Sequence, residues 1–364
     1  MKISACMIVK NEEANLRLTL PALAGAVDEL IIVDTGSTDE TVAIARQYAT
    51  TVVHQAWNGD FARARNESLR HAQGDWIIWI DADEYIEKES WVKLKENIKD
   101  SQEVAYYLPI YECEPGQTQG ETMYHRVKVF KNRQGLTFIR AINEQVQDTK
   151  GQVIIPRESM PEVKICHWGN KIDEQAKITK KKRNIALLEK AIRENPRDAY
   201  YHYLLANNYN ELKEYPKALS EYQAALENSA GCGGLCSRIK NMMATILIDQ
   251  NDLAQAEKLL LSVLLEEEDV AKALVQLGII KLKNKMFDEA AIVLERAGRE
   301  QIPQSTTEVI SLDYYQYFPN YLLGLVWLVK GEKKKALNAY KTAYTYKQSA
   351  GLNEIIESLK KEVK

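Results

Sequence analysis

The chain has 364 residues, 45% apolar and 27% charged, which supplies core for two ordinary domains and excludes disordered and collagen-like classes. Its net charge of −3, from 48 basic and 51 acidic side chains, argues against a broadly basic nucleic-acid surface. The charge is uneven: residues 1–174 hold 20 Lys/Arg against 27 Asp/Glu, and residues 175–364 hold 28 against 24.

In chain order, Ile3–Val9, Leu30–Val33, Thr51–His54 and Trp76–Ile80 are apolar, β-branched runs of strand length. Between them, Glu13–Leu23, Asp39–Tyr48 and Phe61–Ala72 carry helical patterns, so βαβ crossovers and a mostly parallel sheet are expected. Ser37 and Glu40 have capping-box spacing for the second helix, Asp60 is placed to cap the third, and Gly74 suits its end. Val104–Tyr111, Arg126–Phe130, Val153–Ile155 and Val163–His167 predict further strands that complete this domain.

Beyond residue 175 strand patterns give way to a repeat. Ala218, Ala256, Ala290 and Ala336, spaced by 38, 34 and 46 residues, each follow a small residue by twelve positions: Ala206, Ala244, Gly278 and Gly324. Large residues come four later (Tyr222, Leu260, Leu294, Tyr340) and smaller ones seven later (Ala225, Val263, Ala297, Ala343). Small residues let paired helices approach closely while large ones fill the space between pairs. The pattern resembles four tetratricopeptide repeats. The expected domains are therefore 1–174, a linker helix over 175–198, and repeats over 199–364.

Five scattered cysteines favour reduced thiols and a cytoplasmic location, and Cys232 with Cys236 lacks the second pair of a zinc site. Lys10, Glu12 and Glu13 interrupt any signal-peptide pattern, and the longest uncharged run, Tyr314 to Val329, contains Pro319 and is too short to span a membrane. A soluble protein is expected.

The chemistry concentrates at Asp81-Ala82-Asp83-Glu84, directly after an apolar strand. Ligands of open α/β sheets gather at the carboxyl ends of strands, and two carboxylates one residue apart suit a hard divalent ion. An acidic half that handles an anionic ligand requires such an ion. The alternative is an acidic first turn of a helix. Asp34 ends a second strand and precedes Thr35-Gly36-Ser37-Thr38, yet no dinucleotide fingerprint or P-loop is present.

The segments MIVKNEE, IIVDTGSTDET, FARARNESLRHAQGDWIIWIDADE and HRVKVFKN followed by IRAINEQ together resemble family 2 glycosyltransferases of the GT-A fold. Within that family they are most similar to members with C-terminal tetratricopeptide repeats, which include peptide S-glycosyltransferases of bacteriocin pathways. The resemblance implies a Rossmann-like α/β domain that uses Mn2+ or Mg2+ and inverts the anomeric carbon of a UDP-sugar. It places Val9, Asn11 and Glu12 along the nucleotide pocket, Asp34 at the uracil or ribose, and Arg65 near the base and phosphates. Asp81 would face ribose and metal, Asp83 would ligate the metal, and His167, in a His-x-Gly segment, would complete its shell. Glu144 is the implied base, although Asn143 stands where the family commonly has His.

For His167 the alternative is a packed, hydrogen-bonded residue. Arg126 and Lys128 alternate with valines and are expected on a solvated strand edge, the alternative being a diphosphate contact; the Lys177–Arg183 basic run is expected on a solvated helix face, the alternative being an acidic-lipid or nucleic-acid patch. Trp76 and Trp79 are expected in the core. The leading expectation is transfer of a sugar to a Ser, Thr or Cys side chain of a peptide recognised by the repeats. Glycan or lipid-linked acceptors are the second reading and a non-catalytic scaffold the third. The stack's end requires a cover, either the Asn353–Lys361 helix or a second copy in a homodimer.

Overall fold

Strand periodicity explains why the first strand is central. Ile3, Ala5, Met7 and Val9 enter one apolar layer, while Cys6 between them enters the opposite one with Ile31, Ile77 and Trp79. Both faces of such a strand need cover, and the intervening amphipathic helices supply it.

A computed structural model describes residues 1–114, 120, 122–169, 174–229, 234–266, 270–303 and 310–363. Cys232 lies outside the described residues. The chain divides into two units, residues 1–180 with 303–310, and 181–302 with 311–364.

The first unit contains β1 (Ile3–Val9), α1 (Glu13–Ala26), β2 (Glu29–Asp34), α2 (Thr41–Tyr48), β3 (Thr51–His54), α3 (Phe61–His71) and β4 (Trp76–Trp79). There follow β5 (Glu84–Ile86), α4 (Lys88–Ile98), β6 (Ala105–Glu112), β7 (Thr122–Lys131), β8 (Thr137–Ile139), β9 (Gln145–Gln147) and β10 (Ile165–His167). The main sheet runs β3-β2-β1-β4-β7-β6-β10-β5, and β8 pairs with β9 separately. It is parallel from β3 to β4, whereas β7 runs antiparallel to both β4 and β6. The α/β GT-A-like architecture expected from the sequence is thus present, and β10 rejoins the sheet parallel to β6.

Asp60 caps α3 as expected, accepting from the Arg63 amide at 2.9 Å. The other two punctuation readings are corrected. The Ser37 hydroxyl accepts from the Asn11 amide instead of capping α2, and Asp39 accepts from Thr41 at that helix start. Gly74 lies beyond the Ala72 cap of α3, and its reason is contact: a Cβ there would stand 2.6 Å from the Ser4 hydroxyl. Val153–Ile155 forms no strand; Val153 makes only an isolated bridge to Gln147.

The helix α5 (Glu174–Glu194) leads to the repeat helices α6 (Ala199–Glu211), α7 (Tyr215–Glu227), α8 (Leu235–Asp249), α9 (Leu253–Glu266), α10 (Val270–Lys283) and α11 (Phe287–Ala297). The last are α12 (Tyr317–Val329), α13 (Lys333–Tyr346) and α14 (Ala350–Glu362). The four signature alanines, and the large residues four positions later, are fully buried. The twelve-residue offset also acquires its reason. A Cβ on Gly278 would meet Leu294, and one on Gly324 would meet Tyr340, each at 2.5 Å.

Each hairpin turn carries a left-handed residue five positions before the alanine: Lys213, Asn251, Lys285 and Gly331, at φ 59–77°. Leu352, Ile356 and Leu359 of α14 are buried against α13, so the chain covers the last repeat itself. Among the described residues no helix is long and apolar enough to cross a membrane.

Candidate active site

The loops leaving β1 and β2 are stitched together. Asn11 adopts φ 56°, its amide donates to Ser37 Oγ at 2.9 Å, and its Oδ1 accepts from the Thr38 amide at 2.8 Å. The Val9 carbonyl accepts from both the amide and the hydroxyl of Thr35, and the Glu12 amide donates to Thr41 Oγ1 at 2.7 Å. Asp34 accepts from the Gly36 and Ser37 amides and pairs with His54 Nδ1 at 2.8 Å. Burial works against its charge, but these donors prevail and hold its carboxyl below the ordinary range. Val9, Asn11, Glu12 and Asp34 therefore belong to one braced ridge at the carboxyl ends of parallel strands.

The next loop descends from β4. Asp81 faces two cations, Arg65 Nη2 at 2.8 Å and Lys128 Nζ at 3.8 Å. Burial opposes its ionisation, yet these cations hold the carboxyl far below the usual carboxylate range. Arg65 also donates through Nε to Glu144 Oε1 at 2.6 Å, with its guanidinium 4.1 Å from the Trp79 ring centre. Its Nη1 is buried without a partner. Arg65 is 6% exposed, enclosed by Asp81, Glu144 and Trp79. Glu144 follows Asn143 at φ 53°, in the turn leading to β9, which explains how a loop carboxylate reaches α3.

Asp83 has a different partner. Its Oδ2 is 3.4 Å from His167 Nε2, and His167 Nδ1 is 2.9 Å from Glu112 Oε1. Burial disfavours the imidazolium, but the two carboxylates outweigh it and raise the pKa of His167 to about 10. Trp168 donates from its indole to Asn15 Oδ1 at 2.9 Å, and its amide donates to the Asp83 carbonyl at 3.2 Å. Gly169 leaves the space the Asp83 carboxylate occupies, since a Cβ there would lie 1.7 Å from Oδ2. The His-x-Gly segment is thus three contacts on one loop. Nearby Glu12 has its pKa raised, by burial first and by Asp83 and Asp81 next.

A divalent ion fits one part of this arrangement. Cis ligands on an octahedral ion at about 2.1 Å lie roughly 3 Å apart, close to the 3.4 Å between Asp83 and His167. Hard Mg2+ or Mn2+ is commonly held by one or two protein ligands, with phosphates and water completing the shell. Among the described residues no three acidic, His or Cys side chains gather as a metal site. Asp81 is paired with Arg65 and Lys128, and the charge of His167 also acts on it.

Sequence reasoning did not mark Glu112, gave Glu84 no role of its own, and favoured a solvated edge for Lys128. Lys128, expected on a solvated edge, is 1% exposed, and Glu84 is 2% exposed. Only the alternation on β7 hinted that one residue there must point inward. Trp76 and Trp79 are core residues as expected.

Residues 4–123 match the glycosyl transferase family 2, and residues 185–231 and 241–305 match the tetratricopeptide repeat. The chain is 34% identical over 168 residues to a TPR repeat-containing protein of Synechococcus elongatus, covering 46% of this chain and 40% of that protein. It is 24% identical over 234 residues to the SPbeta prophage-derived glycosyltransferase SunS of Bacillus subtilis, covering 62% and 53%. An uncharacterised glycosyltransferase of Rickettsia felis is 45% identical over 89 residues, covering 24% and 31%. The chain spans about half or less of the length of these relatives. Among solved structures, S. aureus TarS 1–349 in complex with UDP-GlcNAc aligns at 16% identity and TM-score 0.38, covering 68% of this chain and 85% of that one. YrrB, a TPR protein, aligns at 19% identity and TM-score 0.38, covering 51% and 86%.

Proposed function

We propose that this chain, which combines a family 2 glycosyltransferase domain with tetratricopeptide repeats, transfers a sugar from a UDP-sugar to a peptide or protein side chain by metal-dependent, inverting displacement. The observation that carries the reading is the Asp83–His167 pair at the sheet's carboxyl edge, cleared by Gly169 and beside the Arg65–Asp81 pair.

Asp83 and His167 would hold Mn2+ or Mg2+, whose charge stabilises the departing diphosphate. Asp34 and the braced Asn11–Thr38 loops would receive the uridine, and Asp81, a third exposed, would present its outer edge to the ribose. The bond from the anomeric carbon to the acceptor atom forms as the bond to the diphosphate oxygen breaks, and UDP leaves. For a hydroxyl acceptor the proton passes to Glu144; Oε1 is engaged by Arg65, so Oε2 is the accepting atom. A Cys acceptor, already partly thiolate, depends less on this base. Stacked helix pairs offer a surface suited to extended peptides, which supports the acceptor class.

Incubation with UDP-sugars, Mn2+ and candidate peptides, followed by intact mass, tests the reading. A hexose-sized mass gain that Asp83→Ala abolishes is expected. Donor that is neither hydrolysed nor transferred, with Asp83→Ala indistinguishable from the natural chain, refutes it. Transfer only to glycans or lipid-linked sugars refutes the peptide acceptor.

A further inference from the structure

Lys128 sits on β7 in an Arg-Val-Lys-Val run, yet only 1% of it reaches solvent. Its ammonium is 2.6 Å from Glu84 Oε2, 3.8 Å from Asp81 Oδ2 and 3.4 Å from the centre of the Trp79 ring. The same ring carries the Arg65 guanidinium at 4.1 Å. Glu84 Oε2 accepts a second hydrogen bond, from the backbone amide of Asp81 at 2.9 Å. One carboxylate oxygen thus ties the Asp81 main chain to a buried ammonium that also faces the Asp81 side chain.

Burying such a pair is expensive. Desolvation of each ion costs several kcal/mol, and well-packed apolar replacements are often neutral or stabilising. Stability alone therefore gives weak reason for Lys128 and Glu84 to be ionic. Their contacts converge on Asp81, which Lys128 reaches through the side chain and Glu84 through the backbone amide.

We propose that Lys128 is a positioning residue of the donor site: with Glu84 it holds the Asp81 main chain and carboxylate beside Arg65, while Asp83 pairs with His167. This inference rests on the glycosyltransferase reading of the site. It divides the Asp-x-Asp pair, which sequence presents as two equivalent carboxylates, into one member paired with Arg65 and Lys128 and one paired with His167.

The test compares the natural chain with Lys128→Met and with the double variant Lys128→Met/Glu84→Gln, which removes both buried charges together. The single variant leaves Glu84 uncompensated and is expected to lose stability; the double variant is expected to melt close to the natural chain. Titration calorimetry of UDP with Mn2+ is expected to show about tenfold weaker binding by the folded double variant, the scale of outer-shell effects. Its ligand-free crystal structure is expected to show the Asp81 carboxylate rotated away from its present position. Natural affinity in the double variant, or an unmoved Asp81, overturns the proposal. Absence of UDP binding by the natural chain refutes the donor reading instead, and the position of Asp81 then decides the positioning role.

Discussion

Replacing Gly169 by alanine separates site geometry from fold. The added Cβ would lie 1.7 Å from Asp83 Oδ2 and 2.9 Å from His167 Nε2. A carbon and an oxygen require roughly 3.3 Å, so the carboxylate must retreat by about 1.6 Å. Gly169 is not in the left-handed backbone region, and the obstructed atom ends a short side chain, so the backbone need not move. The conflict is therefore resolved by rotating Asp83 away from His167. Misplacement by about 1 Å at a reacting site costs on the order of a hundredfold in rate. Gly169→Ala should melt within a few degrees of the natural chain while donor hydrolysis or transfer falls by about that factor. Circular-dichroism melts and UDP release measure the two quantities. Natural activity in Gly169→Ala would refute the assignment of Asp83 and His167 to the metal.

In the repeats, Gly324→Ala drives a methyl to 2.5 Å from the buried Tyr340 ring. Overpacking of about 1–3 kcal/mol should lower the melting temperature, and an unchanged melt would refute the contact. Glu144→Gln should depress transfer to a hydroxyl acceptor more than donor hydrolysis in the absence of acceptor, measured as separate rates; equal loss in both argues against a base. Because the folded-state pKa of Asp34 is depressed, its contribution to stability is present above the unfolded value near 3.9 and is lost as pH falls below it. Asp34→Asn should flatten that acid limb in chemical denaturation, and an unchanged limb would count against it. Burial raises the pKa of the Cys6 thiol to about 12, so iodoacetamide at neutral pH should label half-buried Cys236 before Cys6, as read by peptide mass.

Much of this architecture was legible because it depends on periodicity and volume. The apolar run Ile3–Val9, followed by a helical pattern, already implied a strand of a parallel sheet, and the small-to-large offset in the repeats is a steric rule that any correct register must satisfy. Local punctuation was less legible. Ser37 and Gly74 matched helix-cap patterns, but Ser37 braces Asn11 and Gly74 clears Ser4, partners distant in sequence. The short pairs β5, β8 and β9 left no periodic trace, because three residues cannot express a period.

The sequence by itself determined the change from a βα pattern to a helical repeat, the alternating strands and helices of its first 80 residues, and the placement of Asp34, Asp81 and Asp83 at strand ends. These follow from local pattern and the rule that ligands meet parallel strands at their carboxyl ends. Only the tertiary structure decided which carboxylate faces which cation. Asp81 turns to Arg65 and Lys128, Asp83 turns to His167, and Glu144 reaches α3 from a distant turn. Charges so far apart in the chain interact strongly only where folding removes water between them, and that removal is a property of the packed whole.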